Sequence, residues 1–186
     1  MKLTGNTIFI TGGGSGIGRG LAEALHKLGN KVIISGRRKP NLDAVIAANP
    51  GMEAVELDIS DPASIDAVAK KLVAEHPELN VLFNNAGIME VDHADGTIDE
   101  SLLTRTVTTN LLGPIRLTST LVQQLKSRRG VVIYNTRCWR LCHLRLLLFI
   151  RRRRPRCIPM CCRNGLCCIR AESGCWRLRR RGCERS

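Results

Sequence analysis

The sequence predicts a doubly wound α/β domain with a parallel sheet, truncated after its fifth strand. Three observations carry that expectation. Short runs rich in β-branched residues alternate along residues 1–136 with segments of helical periodicity. The runs are continuously apolar, as strands covered on both faces are, rather than alternating apolar and polar. A glycine-rich turn joins the first run to the first helical segment.

The candidate strands, in order, are "TIFIT" (7–11), "KVIIS" (31–35), "EAVEL" (53–57), "NVLFN" (80–84) and "GVVIY" (130–134). Between the first two, Ile17, Leu21, Leu25 and Leu28 recur at helical spacing. After the third, Asp61 is placed to cap a helix, with Pro62 at the first helical position, where its missing N–H costs nothing. Ile65, Val68, Ala69, Leu72 and Val73 then form an apolar stripe. A longer helical pattern runs from about Asp99 to Lys126 and is interrupted at Gly113–Pro114, where a helix disturbance is expected.

Composition divides the chain in two. Residues 1–136 carry 14 Lys and Arg against 14 Asp and Glu. Residues 137–186 carry 15 Arg against 2 Glu, the whole of the formal charge of +13, and all nine cysteines. The sequence therefore divides into a neutral domain over 1–136 and an Arg/Cys-rich tail over 137–186 that is expected to be disordered or misfolded. No secretory signal is visible in "MKLTGNTIFI", and no run approaches the roughly 20 apolar residues of a membrane span. The expected compartment is the cytoplasm, where the cysteines stay reduced.

Four segments carry chemistry. In "TGGGSGIG" (11–18), Gly12, Gly16 and Gly18 allow a tight turn and let backbone N–H groups approach a pyrophosphate at a helix N-terminus. A merely flexible loop is the competing reading, and the strand–turn–helix context argues against it. "SGRR" ends the second strand with Arg37 and Arg38 where an NAD site would carry an acid for the ribose 2′-hydroxyl. An arginine there suits a 2′-phosphate, through charge-assisted bonds worth roughly 1.5–3 kcal/mol. NADP is therefore the expected cofactor, with NAD possible and a solvated basic turn as the alternative. "LDIS" (57–60) and "NNAG" (84–87) close the third and fourth strands, at the edge where open α/β sheets bind ligands. Helix capping and turn formation would also explain Asp58 and the asparagines.

These segments, with "TNLLG" (109–113), resemble the short-chain dehydrogenase/reductase family in order and spacing across residues 1–136. Within that family the chain looks most like the DltE-type bacterial oxidoreductases. The resemblance implies a Rossmann-like fold and hydride transfer between a nicotinamide cofactor and a small carbonyl or alcohol substrate. By resemblance, Gly12, Ser15, Gly16, Ile17 and Gly18 hold the cofactor phosphates and Arg37 selects NADP. Asp58 and Ile59 meet the adenine, and Asn85, Ala86 and Gly87 line the ribose and nicotinamide path. Asn110 matches the catalytic asparagine that orders a water beside a lysine. No metal, membrane or nucleic-acid partner is implied. The family forms homo-oligomers, an assembly not expected of this chain.

The rest of the family's machinery is missing. A serine just after the fifth strand orients the substrate, and a Tyr-x-x-x-Lys pair on the next helix supplies the acid/base tyrosine and the lysine that lowers its pKa. Here Arg137 and Cys138 stand where the serine belongs, and no Tyr-x-x-x-Lys occurs. The one tyrosine, Tyr134, lies inside the fifth strand, and no lysine follows Lys126.

The genetic code suggests a cause. If one base was lost before codon 137, each original codon joins the third base of one present codon to the first two of the next. Phe149 followed by Ile150 then restores tyrosine or histidine at 150, Arg137 permits serine, and Arg153–Arg154 permits lysine at 154. The tail reads as a frameshifted translation of a dehydrogenase gene, leaving an oxidoreductase by descent that is inactive as it stands. The alternative is a binding protein, either a nucleotide-binding remnant or a basic-tail adaptor. "IRRRRPR" (150–156) could touch phosphate backbones, but the tail has few aromatics to stack on bases and no C-x-x-C for zinc.

Overall fold

The computed structural model describes residues 2–90, 99–135 and 166–170, the last by backbone alone. The elements alternate as expected: β1 (Thr7–Thr11), α1 (Gly16–Lys27), β2 (Lys31–Gly36), α2 (Lys39–Ala48), β3 (Glu53–Glu56), α3 (Pro62–Glu75) and β4 (Val81–Asn84). They continue through α4 (Glu100–Val107), a π-helical turn (Thr108–Leu112), α5 (Gly113–Ser127) and β5 (Val131–Asn135). The parallel strands lie in the order β3-β2-β1-β4-β5, the doubly wound arrangement, and the parallel part ends at β5.

The sheet separates two cores. Phe9, Ile33 and Leu82 point to one face, where α3 supplies Ile65, Val68 and Leu72 and α5 supplies Leu117, Leu121 and Leu125. Ile8, Ile10, Val32 and Ile34 point to the other, against Ala22 and Leu25 of α1 and Leu42 and Val45 of α2. Alternate residues of a strand thus serve opposite cores, which is why these strands are apolar throughout.

Not every apolar residue at helical spacing is buried. In α1 the buried face is Gly18, Ala22 and Leu25, whereas Ile17 is 63% and Leu28 46% exposed. Small residues at 18 and 22 let the helix approach the strands closely, while Leu25 is buried and Leu21 packs against the same core. Val73 of α3 is likewise exposed, at 48%, although the rest of its stripe is buried. At the edge beyond the parallel strands, β6 (Leu166–Arg170) pairs antiparallel with β5, Asn135 opposite Leu166. The rest of the segment 137–186, with Arg137, Cys138 and the 150–156 arginine run, lies outside the described residues.

The helix disturbance falls where Gly113–Pro114 suggests. Pro114 has no N–H to donate, and the turn just before it is π-helical over Thr108–Leu112. Gly113 sits against the carbonyl of Ile59, so close that a Cβ would collide with it. Asn110 therefore stands on a locally widened turn, which is followed at Gly113 by the contact with the β3–α3 connection.

Candidate functional site

The carboxyl ends of β1, β2 and β4 meet the start of α1, and the side chains there form one connected set. Gly12 leaves β1 with φ +69°, a conformation costly for other residues, and a Cβ on it would lie 2.9 Å from Cα of Ala86. Gly13 N–H donates to the carbonyl of Ser35 at 2.9 Å, tying the loop to β2. Gly18, in the first turn of α1, packs on the carbonyl of Gly12 and on Asn85 Nδ2, leaving no room for a side chain. Ser15 precedes the helix in extended conformation and makes no side-chain cap bond, and no acid occupies the first turn. The helix thus opens with free N–H groups and partial positive charge toward solvent, the arrangement that binds anions.

Thr11 holds the β4 end to this loop. Its hydroxyl accepts from Asn85 N–H at 3.0 Å and Ala86 N–H at 2.9 Å. Asn85 Nδ2 donates back to the carbonyls of Thr11 at 3.1 Å and Gly12 at 3.4 Å. Asn110 is joined to the same connection from the other side. Its Oδ1 accepts from Ile88 N–H and its Nδ2 donates to the Ile88 carbonyl, both at 2.8 Å, and Gly87 packs on it. Asn110 and the "NNAG" segment, 23 positions apart at their nearest, are thereby brought together.

Arg37 is exposed at the end of β2, and Asp58 stands beside it after β3. Burial alone would raise the Asp58 carboxyl. The Ser60 hydroxyl at 2.6 Å and the Ser60 N–H at 2.9 Å, together with the charge of Arg37, outweigh it and hold the group below the ordinary aspartate range. Ile59 is placed differently from its neighbour: its side chain is 5% exposed and belongs to the core.

The set includes residues that sequence reasoning missed. Thr11, Thr118 and Asn135 each tie an asparagine of "NNAG" to another element, across 34 to 74 positions. No local spacing signals such contacts. Asn84 Nδ2 donates to Thr118 Oγ1 at 3.2 Å, and Thr118 is bonded in turn to the Tyr134 hydroxyl at 2.7 Å. Burial raises the Tyr134 pKa despite that bond.

A family model described as short chain dehydrogenase matches residues 6–137. The chain belongs to the short-chain dehydrogenase family. It is 37% identical over 134 residues to the uncharacterized oxidoreductase DltE of Bacillus subtilis, a match covering 72% of this chain and 53% of that protein. Galactitol 2-dehydrogenase of Agrobacterium fabrum is 35% identical over 136 residues, with the same coverage of 72% and 53%. The Escherichia coli 3-oxoacyl-[acyl-carrier-protein] reductase FabG is 33% identical over 137 residues, covering 72% and 55%. Among solved structures, a short-chain dehydrogenase from Streptomyces avermitilis superposes with a TM-score of 0.62 at 36% identity, covering 67% of this chain and 46% of that one. The chain thus spans about half the length of the curated relatives it matches. The matched portion carries the nucleotide-binding fold typical of that family. Among the described residues no helix is long and apolar enough to cross a membrane.

Proposed function

We propose that the chain descends from an NADP(H)-dependent oxidoreductase acting on a small carbonyl or alcohol, retains the cofactor site, and lacks the groups for turnover. The observation that carries this reading is the glycine loop braced by Thr11, Asn85 and Gly18, with Arg37 at the end of β2. The site fits a dinucleotide: Gly12 and Gly18 keep side chains out of the loop, and the first turn of α1 offers N–H groups to a pyrophosphate. Arg37 and Arg38 would meet a 2′-phosphate, Asp58 the adenine, and Asn85 to Gly87 the ribose side. When bound, the nicotinamide supplies or accepts the hydride. Asn110 is the sole family catalytic residue among those expected. Its amide is engaged with Ile88 at both atoms, which keeps the π-helical turn beside the cofactor path.

A lost base before codon 137 accounts for what is absent. Cysteine and tryptophan codons begin TG, so all nine cysteines and both tryptophans, which lie beyond that point, restore to Leu, Met or Val. Arginine codons beginning CG restore to Ser, Pro, Thr or Ala. The tail thereby regains the small and aliphatic composition of a sheet-and-helix domain.

Fluorescence titration tests the cofactor reading. NADPH should bind about 10-fold or more tightly than NADH, as a charge-assisted bond to the 2′-phosphate requires, and Arg37→Ala should remove the difference. Equal affinities would refute the NADP assignment. Sustained NADPH-dependent turnover of a carbonyl panel by the chain as it stands would refute the loss of catalysis. Sequencing codons 130–160 decides the origin of the tail: a restored frame that stops early, or has histidine at 150, overturns the lost base.

A further inference from the structure

Asn135 is the last residue of β5, and its side chain reaches over the end of β4. Its Nδ2 donates to Oδ1 of Asn85 at 2.8 Å. Asn85 uses its own Nδ2 on the carbonyls of Thr11 and Gly12. A carbonyl only accepts, so Asn85 must turn its nitrogen to the loop and its oxygen away from it. Whatever faces that oxygen must then donate. Asn135 meets the requirement, and an acceptor in its place would favour the flipped amide, which sets oxygen against two carbonyls.

The other face of the sheet is served separately. There Tyr134 and Asn84 meet on Thr118 of α5. Adjacent residues at the end of β5 thus engage the two asparagines of "NNAG" on opposite sides, as strand alternation dictates.

We infer that Asn135 is a positioning residue for the glycine loop, acting through Asn85 on the carbonyl of Gly12. The loop has little tolerance for a shift, because Gly18 packs on both the Gly12 carbonyl and Asn85 Nδ2. A residue on β5 therefore governs the orientation of a loop that begins on β1, two strands away.

Hydrogen exchange on the full chain without cofactor tests this directly. Relative to the parent, Asn135→Leu should speed exchange in the peptide covering Thr11–Gly18 by about 2- to 12-fold, the range one net hydrogen bond supports. Asn135→Asp, close in shape but acceptor-only, should exceed it, whereas a pure packing role would make the two equal. Exchange in α3 should stay unchanged. Tyr134→Phe, which removes the bond on the opposite face, should leave the loop at the parental rate. Unchanged loop exchange in both Asn135 variants overturns the inference. So does an equal rise in Tyr134→Phe, which would mean that general loosening of β5 is responsible. The second readout rests on the proposed cofactor site: NADPH affinity should fall in the same order, Asp below Leu below parent. If the parent binds no NADPH, that site assignment fails, and the exchange experiment still decides the relay.

Discussion

Asp58 is only partly withdrawn from water, yet its carboxyl is held below the ordinary aspartate range. Ser60 reaches it with both hydroxyl and N–H, and Arg37 adds its charge. A lowered folded-state pKa stabilises the fold above the unfolded value, near 3.9. That contribution disappears as pH falls through the still lower folded value. Thermal melts from pH 7 downward should therefore show the parent losing more stability below about pH 4 than Asp58→Asn. Parallel curves would mean that the Ser60 and Arg37 contacts have no net effect. The contrast with Asn135 shows what a sequence makes legible at this scale. Asp58 belongs to a short segment read at a strand end, whereas the Asn135–Asn85 bond spans 50 positions and follows from strand order alone.

Helices were legible in proportion to how local their determinants are. Asp61 was readable as a cap because the evidence is adjacent: Pro62 follows it, and its carboxylate accepts from Ala63 N–H at 3.0 Å and Ser64 N–H at 3.2 Å. Asp61→Ala should cost about 0.5–2 kcal/mol in urea denaturation, and Asp61→Asn much less, since an amide oxygen still caps. A loss no larger for alanine than for asparagine would deny the cap. The helical spacing of Ile17, Leu21, Leu25 and Leu28 announces α1, but its inward face is completed by Gly18 and Ala22, which carry no hydrophobic period of their own. α2 leaves little trace in the sequence, since its buried residues, Leu42 and Val45, are few. Nothing in an arginine- and cysteine-rich tail announces β6 as a pairing partner for β5.

For the molecule as a whole, the strand pattern conveys the parallel sheet, and the segments that close its strands point to their carboxyl ends as the candidate site. The backbone pairing adds something neither states. With apolar side chains packed on both sides, the sheet is a partition between two interiors that share strands but not side-chain contacts. Destabilisation should then follow independent bookkeeping on the two sides. Ile10→Val acts on the α1–α2 side and Ile65→Val on the α3–α5 side, each expected to cost about 0.5–1.5 kcal/mol. Combined, they should sum to within about 0.5 kcal/mol in equilibrium unfolding, because they share no packing neighbour. A coupling energy well above that would mean that strain crosses the sheet through the backbone, and that the two halves of this interior respond as one body.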